Sequence, residues 1–447
     1  MTGYFHSVTL EEGKCRGCTN CIKHCPTEAI RVRNGKATII KERCIDCGEC
    51  IRVCPYHAKK AVTDPFTMMS EYCFKVALPA PSLYGQFGQD FSRERILQGL
   101  LELGFDWVFE VARAAEIVSD ATRQILKSGN VKKPVISSAC PAVVRLIQVR
   151  FPNLINNLLK LESPMEVAAR IAKHTISKEK NIPADKIGVF FISPCAAKVT
   201  SVKAPYEKKE SFVNGVFSMK DIHIKLLEKM KSIPQDYENG LVSSGAYGVG
   251  WAVSGGESNA LEIPKSLAVH GIHNVIDIFE EIVEDRLKEV DFVEALSCTE
   301  GCLGGPLTVV NPFVSRTILK WQIKKAKNKG FSQENVAEDY QDLLWTKDME
   351  YKPILKLDDN MMKAMIKMQK LEEINDGLPG LDCGACGSPN CRALAEDIVR
   401  GLAFETDCIF KLREKVSDLA DHMKALEHIY RPKIEDRNIP AREEEDK

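Results

Sequence analysis

Between residues 70 and 310, short apolar runs alternate with longer amphipathic ones. V-A-L-P-A (76–80), D-W-V-F-E-V (106–111), K-P-V-I-S-S (133–138) and I-G-V-F-F-I (187–192) are compact and predict buried strands. The stretches 92–103, 143–160 and 164–179 carry apolar residues at helical spacing and predict helices between them. This alternation predicts α/β layering with parallel sheets. Ligands in such folds collect beyond the carboxyl ends of strands, where Cys140 and Cys195 fall.

The pattern changes at both ends of the chain. R-V-R-N-G-K-A-T-I-I (31–40) sets N-G between β-formers and predicts a hairpin, and a turn at Thr63-Asp64-Pro65 closes that segment. Toward the other end, 392–407 reads as helix. Beyond it Leu412, Val416, Leu419, Met423, Leu426 and Ile429 recur at near-heptad spacing, flanked by charges. So short a repeat fits a coiled coil and packing against its own domain equally well. The tail A-R-E-E-E-D-K reads as disordered. The expected domains are 1–64, 70–370, 371–410 and an amphipathic helix with charged tail, 411–447.

Composition narrows the function classes. The 447 residues are too many for one compact unit, and 44% hydrophobic content supports a real core. Lys+Arg 61 against Asp+Glu 62 leaves net charge −1, so no basic field points to nucleic acid. No apolar stretch is long enough to span a membrane, and the N-terminus lacks a signal pattern, so a cytoplasmic location is expected.

The 17 cysteines then change the picture. Cys15, Cys18, Cys21 and Cys25-Pro26, then Cys44, Cys47, Cys50 and Cys54-Pro55, repeat the C-x2-C-x2-C-x3-C-P run of bacterial ferredoxins. In that run the fourth cysteine reaches across to the other cluster. Cys15, Cys18, Cys21 and Cys54 are therefore expected on one [4Fe–4S], and Cys44, Cys47, Cys50 and Cys25 on its partner. Disulfides would need an oxidising compartment, and zinc would not need the crossed repeat. Near the C-terminus, G-L-P-G-L-D-C-G-A-C-G-S-P-N-C (377–391) and Cys408 offer Cys383, Cys386, Cys391 and Cys408 to one more [4Fe–4S] cluster or to zinc. Cys73 is left over.

Four more cysteines are scattered: Cys140 in S-S-A-C-P (137–141), Cys195 in S-P-C-A-A-K (193–198), and Cys298 and Cys302 in S-C-T-E-G-C-L-G-G (297–305). Cys140 precedes Pro141, a residue favoured at the first position of a helix, and a thiolate at a helix N-terminus meets the positive end of the dipole. If 195–203 is helical, Lys198 lies one turn beyond Cys195, and a buried ammonium there needs an anionic partner. Cys298 and Cys302, at i and i+4, are expected to share a helix face. The Gly-rich run 244–256 fits no phosphate-binding pattern and reads as a tight structural loop rather than a nucleotide site.

These three cysteine motifs resemble the active-site motifs of [FeFe] hydrogenases, over roughly residues 1–310. The resemblance implies a two-lobed α/β catalytic domain after an α+β ferredoxin domain and before a small helical Fe–S module. It implies three accessory [4Fe–4S] clusters and an H-cluster, a [4Fe–4S] cubane joined to a diiron unit carrying CO, cyanide and an azadithiolate. Cys140, Cys195 and Cys298 would bind the cubane and Cys302 would bridge. Lys198 matches a lysine that hydrogen-bonds a cyanide, and Pro79-Ala80-Pro81-Ser82 resembles the segment contacting the diiron ligands. G-F-D (104–106) and the 244–256 loop are further landmarks.

The departures concern protons. Productive members read T-S-C-C-P where this chain has S-S-A-C-P, so Ala139 replaces the thiol that hands protons to the azadithiolate. Ser193 and Leu296 stand where the family has Met, Ser201 replaces a Glu, and A-T-R-Q-I-L-K-S (121–128) lacks the usual acids. Losing one positioned donor costs roughly 10²–10⁴-fold in rate. That combination resembles the sensory branch, here without a PAS domain. It implies slow, reversible H2 oxidation and proton reduction used for H2 or redox sensing, with a ferredoxin-like redox partner. A signalling partner or homodimer would dock through 411–430. The alternatives are a productive ferredoxin-linked enzyme and a hydrogenase-like Fe–S carrier or assembly protein without the diiron site.

Overall fold

The N-terminal segment is built as two copies of one cysteine loop. The computed structural model describes residues 5–238, 240–328 and 340–430. Its first strands are β1 (Val8–Leu10), β2 (Ile30–Arg33), β3 (Lys36–Ile39) and β4 (Lys59–Ala61). β1 pairs with β4 and β2 with β3, both antiparallel. Asn34 and Gly35 take φ of 51° and 71°, the left-handed pair a two-residue hairpin demands, so the expected hairpin forms. Left-handed residues recur at matching offsets in the two halves: Gly17 and Asp46, Thr19 and Gly48, Glu28 and His57. Each half wraps its cysteines tightly in the same way.

Seven strands follow: β5 (Phe74–Pro79), β6 (Trp107–Val108), β7 (Val135–Ile136), β8 (Ile187–Ser193), β9 (Gly215–Ser218), β10 (Ser266–His270) and β11 (Phe292–Leu296). They form two sheets, β6-β5-β8-β9 and β10-β11-β7, and every pairing within them is parallel. This is the expected hydrogenase-like α/β fold with parallel sheets, a ferredoxin-like part before it and a cysteine module after it. β8 is buried along its whole length, as a strand covered on both faces must be. Helix Val111–Ser128 packs on helix Pro164–Lys180. Two apolar cores pack on the sheets, and the larger, centred on β5 and β8, also takes Val135 and Phe292 from the second sheet.

Several elements differ from the sequence reading. The run 106–111 pairs only at Trp107–Val108, because Glu110 turns inward to a buried cluster and Val111 begins a helix. Glu110 accepts from Tyr84 Oη at 2.7 Å and from the backbone N–H of Ser243 and Ser244 at 2.6 and 2.9 Å. The predicted helix 143–160 stops at Arg150, since Pro152 opens a separate 3-10 turn, Pro152–Asn157. The Gly-rich run, expected as a loop, instead holds the short helix Ala246–Gly250 and ends where helix Gly256–Leu261 begins. A Cβ on Gly256 would lie 2.0 Å from the carbonyl oxygen of Gly250, so only glycine lets these backbones meet.

The chain divides into two compact units, 1–355 and 356–447. The ferredoxin-like part shares the first unit with the parallel-sheet fold. Ser7 Oγ donates to the Ala196 carbonyl at 2.8 Å, and Thr200 Oγ1 to Asp46 at 2.7 Å. In the second unit, helices Met361–Gly377 and Cys391–Val399 pack around Leu371, Leu378 and Leu394. The predicted helix 392–407 ends at Val399, and Gly401 at φ 72° reverses the chain before Cys408. Helix Ile409–Tyr430 follows, with Leu412, Val416, Leu419, Met423 and Leu426 all exposed. The Ile429 side chain and the tail 441–447 lie outside the described residues.

Candidate active site

The N-terminal part holds two small cavities of about 20 Å³ each. Cys15, Cys18, Cys21 and Cys54 line one, and Cys25, Cys44, Cys47 and Cys50 line the other. The fold thus brings together the two crossed sets. The halves repeat one hydrogen bond: Ala29 N–H donates to Cys25 Sγ at 3.2 Å, and Ala58 N–H to Cys54 Sγ at 3.3 Å. Burial pushes the Cys21 thiol up to about 11 and Cys50 up to about 12. Lys59 Nζ, buried and without a hydrogen-bond partner, lines the first cavity. An ammonium there calls for an anion, which a thiolate-ligated cluster supplies.

A larger cavity, about 90 Å³, lies at the carboxyl ends of both parallel sheets. Cys140, Cys195, Cys298 and Cys302 all line it. Cys140 follows β7 and caps helix Pro141–Arg150, and Cys195 follows β8 and caps helix Ala196–Lys203. Both expected helix N-termini are present. Cys298 and Cys302 follow β11, but they do not share a helix face. Cys298 sits in a turn, and Cys302 lies in the 3-10 turn Gly301–Gly304 that Gly301 begins at φ 70°. A Cβ on Gly305 would lie 2.2 Å from the Pro194 carbonyl oxygen, so glycine here lets the Cys195 and Cys302 segments close on one cavity.

The donor set suits a cluster better than one ion. Burial, reinforced by the neighbouring sulfurs, pushes Cys302 up to about 12 and Cys195 well above the ordinary thiol range. Four thiols converge on this one cavity, the situation a multi-iron group resolves by ligation. Ligands of one tetrahedral zinc lie about 3.8 Å apart. Among the described residues, the three-ligand group with atoms within 4.8 Å is His6, Cys44 and Asp46, so these four sulfurs are more widely spaced.

The other expected residues are placed as follows. Pro81, Ser82, Lys198 and Ala139 line the cavity beside the cysteines. Ser82 is fully buried, with Oγ 3.9 Å from Met219 Sδ. Ser193 does not line it; its hydroxyl accepts from Cys195 N–H and donates to the Cys195 carbonyl, each at 3.0 Å. Ser201 Oγ is turned back to the Lys198 carbonyl at 3.0 Å. In the second unit, Cys386, Cys391 and Cys408 belong to the small core, whereas Cys383 is exposed. Cys73 is exposed as well.

Three residues at the site, Glu257, Glu294 and Arg52, escaped the sequence reading. Glu257 and Glu294 both line the cavity. Ser137 Oγ donates to Glu257 Oε2 at 2.6 Å and accepts from Ala139 N–H at 3.2 Å, tying Glu257 to the residue beside Cys140. Burial first, and Glu294 second, push Glu257 up to about 8. Glu294 accepts from Gly255 and Ser258 N–H at 2.9 and 2.8 Å, yet burial still holds its pKa up. Glu207 is also raised, to about 8, by burial and Glu166, but it does not line the cavity. Arg52, from the ferredoxin-like part, donates to Cys298 Sγ at 3.4 Å and to the Gly304 carbonyl at 3.2 Å. Although burial opposes its charge, Cys298 and Glu49 raise the Arg52 pKa overall. A lone acid in the apolar run F-V-E-A-L (292–296) was a readable signal for Glu294.

Comparison with known proteins agrees with this geometry. Residues 74–264 and 257–306 match the family described as iron only hydrogenase large subunit, C-terminal domain. Residues 7–55 match a 4Fe-4S dicluster domain and 378–410 an Fe-S cluster family. The chain is 26% identical over 302 residues to iron hydrogenase 1 of Clostridium pasteurianum, covering 56% of this chain and 52% of that one. It is 33% identical over 104 residues to the cytosolic Fe-S cluster assembly factor nar1 of Aspergillus terreus, covering 21% and 17%. The chain thus spans about half or less of the curated relatives it matches. A solved structure of [FeFe]-hydrogenase HydA1 from Chlamydomonas reinhardtii superposes with TM-score 0.44 at 14% identity, covering 63% of this chain and 95% of that one. Among the described residues no helix is long and apolar enough to cross a membrane.

Proposed function

We propose that this chain, a member of the iron-only hydrogenase large-subunit family, interconverts H2 with protons and electrons slowly, as a sensor of H2 or redox state. The observation that carries the reading is the single cavity where four cysteines, Lys198 and the Pro81-Ser82 segment meet, with Ala139 where a relaying thiol would stand. Cys140, Cys195 and Cys298 would hold a [4Fe–4S] cubane, and Cys302 would bridge to a diiron unit. When bound, that group supplies the open iron at which H2 is split heterolytically into a proton and two electrons with a second proton.

The chain's own residues set the conditions. Lys198 offers an ammonium to an anionic ligand, and Ser82 a buried hydroxyl. The apolar wall, including Trp251, Met165 and Phe191, keeps water from the site. Ala139 has no proton to give. Glu257, mostly protonated at neutral pH, is the acid that reaches the cavity from the side of Ser137. It gives the slower route by which protons arrive and leave. Arg52 links the ferredoxin-like part to Cys298, which supports electron exchange by that route. A ferredoxin-like protein in the cytoplasm is the matching redox partner.

The segment shared with nar1 favours one other reading, an Fe–S assembly protein without diiron chemistry. Loading the apoprotein with a synthetic diiron complex and assaying hydrogen evolution separates the two. Slow but measurable evolution supports the sensor. Rates equal to productive enzymes overturn the slow reading, and no evolution with no bound diiron unit supports the assembly reading.

A further inference from the structure

The helix Ile409–Tyr430 carries an apolar stripe that nothing among the described residues covers. Ile409, Leu412, Val416, Leu419, Met423 and Leu426 fall on successive a and d positions of one heptad frame, at 47–60% exposure. The charged pairs lie outside that seam. Lys411 meets Glu414 at 2.8 Å and Lys424 meets Asp421 at 3.4 Å, joining positions c to f and b to f. A helix with one dry stripe and a salt-bridged back is patterned for a partner helix.

We propose that the occupant is the same helix of a second copy, in a parallel, in-register dimer. Two observations select it. First, β-branched Ile409 and Val416 occupy a positions while Leu412, Leu419 and Leu426 occupy every d, the arrangement that favours parallel two-stranded coils. Second, the flanking charges do not oppose it. In this frame the g position Lys415 faces the e position Ala420 of the other copy, so no like charges meet there. The seam runs about 27 Å and buries on the order of 1,000 Å² in total, near the lower limit for a specific interface. The dimer is therefore reversible, and it places the C-terminal cysteine modules of two copies side by side at the mouth of the coil.

Sedimentation of the full chain with its Fe–S clusters, at concentrations spanning roughly 1–100 µM, reads the association. A concentration-dependent dimer is expected. Leu419→Lys, at the centre of the seam, should abolish it with unchanged iron content. Val416→Asn should keep it, weakened about tenfold, because an a-position Asn pairs with itself only when the helices are parallel and in register. Loss of the dimer in both variants overturns the parallel arrangement. A wild-type chain that stays monomeric, or that associates only when another protein is added, overturns the proposal, as does a dimer untouched by Leu419→Lys.

Discussion

Replacing Glu257 by Gln separates catalysis from stability in one variant. The amide keeps the size of the side chain and an acceptor for the Ser137 hydroxyl, but it carries no exchangeable acid proton to the cavity. If Glu257 serves the proton route, turnover should fall roughly 10²–10⁴-fold. Stability should move the other way. Burial raises this carboxyl from 4.5 to about 8, so the folded state binds the proton more tightly than the unfolded chain. Stability is then highest below pH 4.5 and is lost as pH rises through 8. At pH 7 the gap of about 2.5 units corresponds to a ceiling of about 3 kcal/mol, which the amide escapes. The assay is hydrogen evolution of the diiron-loaded protein from pH 6 to 9 beside thermal unfolding of the same samples. A slower, more heat-stable variant whose pH profile has lost the limb near 8 is expected. An unchanged rate and profile would refute the relay.

Three further outcomes follow from the same geometry. Ala139→Cys should raise hydrogen evolution by at least tenfold if protons limit the wild type, with unchanged infrared bands, since the new thiol restores a donor beside Cys140. Arg52→Met removes a cation that hydrogen-bonds Cys298, so the clusters should become harder to reduce by some tens of millivolts in a potentiometric titration. Gly305→Ala forces a Cβ to 2.2 Å from the Pro194 carbonyl, and iron content and melting temperature should both drop, by about 2 kcal/mol or more in stability.

Much of this site was legible because cluster ligation leaves short, rigid spacings in sequence. The crossed ferredoxin sets follow from a repeated motif, and both cavities receive the expected cysteines. Cys140 and Cys195 were readable because an apolar strand precedes each and a helix follows. What spacing alone misjudged was Cys298 and Cys302. An i, i+4 pair implies a helix only if the glycines between and after it allow one, and Gly301 at φ 70° breaks it. The acids were hidden for a different reason. Glu257 stands in the short helix Gly256–Leu261, at the end of a run that reads as glycine punctuation, and its partner Ser137 is 120 residues away. No local pattern records such a pairing. Arg52 likewise meets Cys298 across 246 residues. The heptad stripe was visible, but its exposure required the fold.

Infrared spectroscopy after loading with the diiron complex tests the central claim most directly. The account predicts CO and cyanide stretching bands from a bound diiron unit, lost when Cys302 is replaced by Ser and shifted when Lys198 is replaced by Met. A protein that binds its [4Fe–4S] clusters yet shows no such bands would contradict it and leave an iron–sulfur protein without hydrogen chemistry.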